Sequence, residues 1–229
     1  MYVRRMHRWD ISPRAAVSLQ TEFAPLIVGE GDVSDVRYVA AADVAFVDRP
    51  EHARPRVARA AVVVLAYPSL DVVEQRVVEA VTEFPYVPGL LSFREVPVLS
   101  LAFEKLEHEP DLLLVDGHGR AHPRRFGIAC HLGLSLDVPT IGVGKSRLCG
   151  DHAEPAPERG AKTMLVHRNE VIGHVVRSRD GVKPLYVSVG HRIGLAEASE
   201  WILRLCQGFR LPEPIRVADR ISKGGSASR

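Results

Sequence analysis

Three acidic residues, Asp43, Glu95 and Asp116, stand in or beside stretches that otherwise read as sheet elements, 52 and 21 residues apart. A single acid in such a place is explained by a helix cap or half an ion pair. Three that converge are harder to explain. Like charges about 4 Å apart repel by about 4 kcal/mol at an effective dielectric of about 20, so the set calls for a cation or a raised pKa. Hard oxygen donors without a Cys or His framework suit magnesium or manganese, which keep some of their waters and take up phosphate oxygens. By type this is the site of a phosphodiester hydrolase.

The strongest local signal surrounds the third acid, in DLLLVDGHGRAHPRRFGIACHLG from Asp111 to Gly133. Leu112 to Val115 reads as a covered strand of an α/β sheet, and Asp116 follows at its carboxyl end, the edge where such sheets bind ligands. Gly117 and Gly119 let the backbone approach a substrate. His118, Arg120, His122, Arg124 and Arg125 supply donors suited to phosphate.

Competing motifs fail on spacing. GVGKS, Gly142 to Ser146, resembles the end of a P-loop, but the position required for the first glycine holds Pro139. A dinucleotide fingerprint beginning at Gly117 and Gly119 would need its third glycine where His122 stands. No GxSxG elbow exists for Ser135 or Ser188, and His118, His122 and His131 match no zinc spacing. Lys145 reads either as a point charge beside a phosphate or as a surface lysine at a strand end.

The elements that must position these residues follow from periodicity. Arg37 to Val47 and Val57 to Tyr67 are expected as antiparallel strands across a polar loop containing Pro50 and Pro55, with Asp43 mid-strand. Asp71 to Glu83 places Val73, Val77, Ala80 and Val81 at helical spacing, with Asp71 and Glu74 as a capping pair, so a helix is expected there. PYVPGLLSFRE is turn-rich, and a helix is expected from about Pro97 to Glu107, with Pro97 in its first turn and Glu95 at its entry.

Beyond Asp116 the expectation is a helix near Arg125 to Leu136, a short strand Thr140 to Val143, and a hairpin over Lys162 to Val176 that turns at His167 to Glu170. A strand Leu185 to Val189 and a helix Leu195 to Gln207 stopping at Gly208 complete the order. Asp151 to Gly160 is expected as a surface loop and Lys223 to Arg229 as a disordered tail. Antiparallel strands followed by strands alternating with helices predict an α/β fold, a mixed sheet with helices on both faces.

Composition narrows the classes. The 229 residues, 46% hydrophobic and 25% charged, fit one compact domain spanning 1–222. The net charge of +2 is not that of a polycation, so phosphate affinity must come from local clusters. Arginines do cluster, at Arg4, Arg5 and Arg8, at Arg54, Arg56 and Arg59, and around Arg120, although solvated surface explains each group equally well. Cys130, Cys149 and Cys206 form no CxxC pair and read as reduced thiols. No signal peptide or membrane span is evident, and a cytoplasmic protein is expected.

Taken together, YVAAADVAF around Asp43, FPYVPGLLSFREVP, LLLVDGHGRAHPRRFGIACHLG, TIGVGKS, IGHVV, YVSVGHRI and VADRIS resemble the endonuclease V family. The likeness covers about Val36 to Ser222 and implies a ribonuclease H-like fold and a deoxyinosine-directed DNA repair nuclease. By resemblance, Asp43 and Asp116 bind the divalent metal, Mg2+ with Mn2+ able to substitute, and Glu95 completes the site through metal or metal-bound water. Lys145 positions the attacked phosphate, with His122 close to it. The family's fourth acidic-site position falls at Asp219 in VADRIS, where some members place His.

Pro85, Tyr86, Val87 and Pro88 resemble the family's wedge, with Tyr86 stacking where a base has flipped out. Without the resemblance PYVP reads as a proline turn with a core tyrosine. Gly89 and Gly117 would let backbone approach the flipped base. The implied reaction hydrolyses the second phosphodiester 3′ to the lesion, leaving a 3′-hydroxyl and a 5′-phosphate. The implied partner is DNA containing deaminated adenine, bound by a monomer with no membrane contact. An endoribonuclease acting on inosine in RNA and a lesion-binding module without turnover are the alternatives.

Overall fold

The computed structural model describes residues 1–46 and 56–226; Pro50, Arg54, Pro55 and the last three residues of the expected tail lie outside the described residues. Eight strands form one mixed sheet in the order β3-β2-β1-β4-β5-β8-β7-β6. They are β1 (Tyr38–Phe46), β2 (Arg56–Ala66), β3 (Val72–Thr82), β4 (Leu112–Asp116), β5 (Thr140–Gly144), β6 (Lys162–His167), β7 (Glu170–Val176) and β8 (Leu185–His191). The helices are α1 (Pro13–Phe23), α2 (Leu91–Phe103), α3 (Ile128–Leu136), α4 (Leu195–Leu205) and α5 (Glu213–Ser222).

The centre of the sheet is parallel, with β4 between β1 and β5, and both flanks are antiparallel. Apolar side chains cover β4 on both faces, Leu112 to Val115 being at most 1% exposed, as a central parallel strand requires. Helices α4 and α5 pack on one face with Ala41, Ala61 and Leu114. Helix α2 packs on the other with Ala40, Val62 and Leu113, and α3 contributes to both cores. Alanine at positions 41, 61 and 218 leaves room for α5 to lie close across β1 and β2. Mixed sheet and two-sided helices agree with the sequence expectation.

Four expectations change. Within residues 71–83 the chain forms strand β3, Val72–Thr82, not a helix, because β2 needs an antiparallel partner for its backbone and the valines that fit helical spacing also fit the face of a strand. Val73, Val77 and Val81 point to solvent on that edge. Glu74, far from capping a helix, is buried and accepts from the Glu107 and His108 backbone N–H groups at 3.0 and 2.8 Å.

Helix α2 begins at Leu91, so Pro97 lies in its interior and Glu95 in its second turn. Burial of Phe93, Val96, Leu99 and Phe103 outweighs the rung that proline removes. Helix α3 begins at Ile128 instead of Arg125, since Arg125 has φ +59° and the Gly127 N–H donates to Gly119 O at 3.1 Å, closing a turn there. At the other end Lys223 to Gly225 are not a free tail: their backbone N–H groups donate to Asp219, Ile221 and Arg220 carbonyls and close α5.

Candidate active site

Three adjacent parallel strands deliver the site at their carboxyl ends. Asp43 lies just past the last residue of β1 paired with β4, Asp116 ends β4, and Lys145 directly follows β5. Asp43 and Asp116 keep the phase of Ala41 and Leu114, so both point toward the face covered by α5. Helix α5 then adds Asp219 from its last turn. Asp43, Asp116 and Asp219 each offer an oxygen, and these atoms lie within 4.8 Å of one another.

The charges in this corner are only partly compensated. Lys145 Nζ lies 2.5 Å from Asp116 Oδ2 and 3.3 Å from Asp219 Oδ1, and Lys223 Nζ lies 2.7 Å from Asp219 Oδ2. Ser222 Oγ donates to Asp43 Oδ2 at 2.5 Å. Burial holds Asp116 above the ordinary aspartate value in spite of the Lys145 ammonium beside it. Glu95 sits next to the trio without sharing its 4.8 Å sphere; burial first, then the charges of Asp43 and Asp116, push it up to about 8. Burial opposes the charge on Lys145, but Asp116 and Asp219 more than offset it and raise its pKa. An all-oxygen set that has drawn an ammonium into its centre is the donor chemistry of a hard divalent cation.

A pocket of about 180 Å3 adjoins the carboxylates through Gly117 and His118. Its walls are the 86–89 loop, the start of α2 and the turn before α3. Tyr86 stands at the rim, 71% exposed. Ser92 Oγ is buried in the wall with no hydrogen-bond partner among the described residues.

The loop that carries Tyr86 is fixed at its end by one carbonyl. Gly89 O accepts from Gln20 Nε2 at 2.9 Å, His122 Nε2 at 3.0 Å and Arg124 Nη2 at 2.9 Å. His122 Nδ1 accepts from the Arg124 backbone N–H at 3.2 Å, which places the ring proton on Nε2. Burial, then the charge of Arg124, lowers the His122 pKa to about 4, so the ring is neutral at physiological pH. Gly89 itself has φ +79°, and a Cβ there would meet Arg124 Nη2 at 2.9 Å.

Several donors that looked available for phosphate are engaged elsewhere. Arg120 and Arg125 hold Glu170 of the β6–β7 hairpin at 2.7 and 2.6 Å. Arg124 reaches Gln20 Oε1 at 2.5 Å, and His118 Nε2 donates to Ser146 O at 3.0 Å. His122 lies in the pocket wall, not among the carboxylates. Of the expected residues, Asp43, Asp116, Asp219 and Lys145 come together, Glu95 stands beside them, and Tyr86 to Gly89 with Gly117 border the pocket, while Pro85 lies outside its wall. The sequence reading missed Gln20, Ser222 and Lys223. The Ser12–Pro13 cap signal would have revealed α1 and hence Gln20 on it, and Lys223 follows Asp219 at i,i+4.

Residues 21–220 match the family model for endonuclease V. Endonuclease V of Gloeobacter violaceus is 51% identical over 221 residues, 95% of this chain and 87% of that protein. The solved endonuclease V of Streptomyces avermitilis superposes with a TM-score of 0.87 at 37% identity, covering 97% of this chain and 96% of that one. Endonuclease V of Ciona intestinalis, solved with a 24mer DNA containing an inosine followed by a ribo-adenosine, gives a TM-score of 0.76 at 29% identity over 90% and 94% of the two chains. The mixed sheet described above is therefore the ribonuclease H-like fold of these nucleases.

Proposed function

The chain belongs to the endonuclease V family and is a nuclease, and from that premise we propose that it nicks DNA containing deaminated adenine. The cut falls at the second phosphodiester 3′ to the hypoxanthine and leaves a 3′-hydroxyl and a 5′-phosphate. The observation that carries this reading is the convergence of Asp43, Asp116 and Asp219 beside a pocket floored by Gly117.

Asp43, Asp116 and Asp219 would hold Mg2+, or Mn2+ in its place, with Glu95 adjoining. When bound, the cation supplies Lewis-acid polarisation of a phosphate oxygen and an acidified water as nucleophile. Lys145, half-exposed at the mouth, donates to the attacked phosphate once Asp116 no longer requires its charge. Tyr86, between Pro85 and Val87–Pro88, enters the stack, while the flipped base enters the pocket against Gly89 and Gly117. Hypoxanthine pairs imperfectly, which lowers the cost of flipping and gives selectivity before any pocket contact. Neutral His122 acts by holding Gly89 O, so it fixes the pocket wall that the base must meet.

The ribo-adenosine after inosine in the DNA bound to the Ciona relative favours a second substrate, inosine in RNA. Residues 1–222 act as one catalytic domain, in a cytoplasmic monomer; among the described residues no helix is long and apolar enough to cross a membrane. End-mapping of products from matched deoxyinosine and inosine strands tests the reading. Lesion binding without any nick refutes it in favour of a binding module, a nick elsewhere refutes the stated position, and a cut confined to the RNA strand refutes the DNA assignment.

A further inference from the structure

Tyr86 borders two cavities. One is the base pocket; the other is a larger, open cleft of about 760 Å3 on its far side, lined by Arg56, Glu83, Phe84, Pro85, Tyr86 and Arg94. The cleft has no part in the chemistry above.

Its two arginines are unusually placed. Arg94, on the first turn and a half of α2, is only 8% exposed. Its guanidinium lies 4.4 Å over the Phe46 ring, and Nη1 donates to Phe84 O at 3.2 Å, while the buried Nε has no partner among the described residues. Arg56, at the start of β2, is exposed and makes no ion pair with any described residue. Burial and the like charge of Arg56 both lower the Arg94 pKa. Glu83, the acid in the lining, is exposed and makes no ion pair with either arginine. Two guanidinium groups line one cleft, one of them held in place by stacking on Phe46, so that an anion in the cleft can accept from both.

The position of the cleft selects that anion. If Tyr86 separates two strands, the strand that gives up its base runs on the Val87–Gly89 side, and its complement is left to the Phe84–Pro85 side. We infer that the Arg56–Arg94 cleft is a backbone subsite for the strand opposite the lesion, where the two side chains grip one of its phosphodiesters. The inference rests on the proposed reading of Tyr86 as strand separator. It gives the near-neutral chain a local source of phosphate affinity that the arginines around Arg120, held by Glu170, do not supply.

Fluorescence anisotropy with metal chelated tests it, using a hypoxanthine-containing duplex and the hypoxanthine strand alone. Arg56→Gln weakens duplex binding about five-fold at low salt and reduces the slope of log K against log salt by about 0.9, one phosphate contact. Its affinity for the single strand is unchanged. Arg94→Lys, which keeps the charge and loses the planar fork, weakens the duplex in the same sense without the change in slope. Duplex affinity and slope equal to wild type in Arg56→Gln overturn the inference, as does an equal loss on the single strand. A wild-type protein that does not prefer the hypoxanthine duplex to an undamaged one overturns the parent reading instead.

Discussion

Lowering the pH from about 7.5 to about 5 removes roughly 4 kcal/mol of stabilisation that two buried histidines, His131 and His122, contribute, while Glu95, raised in the folded state, works in the opposite sense over the same range. His131 is 0% exposed and ringed by His7, Trp9, Phe93 and Phe126. Its Nε2 lies 3.1 Å from His7 Nε2, its Nδ1 has no partner among the described residues, and burial, then His7, pulls its pKa to about 3. His122 titrates at about 4. Unfolded, both return to 6.5. Because the folded values lie below the unfolded one, the stabilisation is complete above about 6.5 and is lost as pH falls toward the folded values. At about pH 5 each residue has lost roughly 2 kcal/mol, from about 1.5 pH units at about 1.36 kcal/mol each. Urea unfolding across this range measures the effect. In His131→Phe the slope of stability between about pH 6 and pH 5 falls by roughly 1.4 kcal/mol per pH unit. A His131→Phe variant with the wild-type slope refutes the reasoning.

Two further predictions concern the loop at the pocket rim. Tyr86→Ala weakens binding of a hypoxanthine duplex by about 1–3 kcal/mol, the stacking of one base, and leaves the melting temperature unchanged because the ring is 71% exposed; anisotropy and thermal unfolding read the two effects separately. Gly89→Ala costs about 1–2 kcal/mol of stability through its left-handed backbone and displaces Arg124 from the Gly89 carbonyl, so urea unfolding shifts and lesion affinity falls together.

Sheet class and site were legible in different ways. The buried run Leu112 to Val115 ending in an acid announced both a central strand and its functional edge, since covered parallel strands have a distinctive all-apolar composition. Residues 71–83 were misread because Val73, Val77 and Val81 satisfy both periods, and only the unpaired edge of β2 decides between them. Pro97 misplaced α2 because tertiary burial of Phe93 and Phe103 overrode a local rule. The arginines near Arg120 looked like phosphate donors because their partner Glu170 is distant in sequence. Asp219 joined Asp43 and Asp116 only through the crossing of α5 over β1, a contact no local pattern encodes.

Cleavage of a hypoxanthine-containing duplex under single-turnover conditions, with magnesium present or chelated, tests the central claim most directly when wild type and Asp116→Asn are compared and binding is followed in parallel. The account predicts a nick that requires the cation and disappears in Asp116→Asn while the duplex is still bound. A nick that persists in chelator, or an unchanged rate in Asp116→Asn, would contradict it.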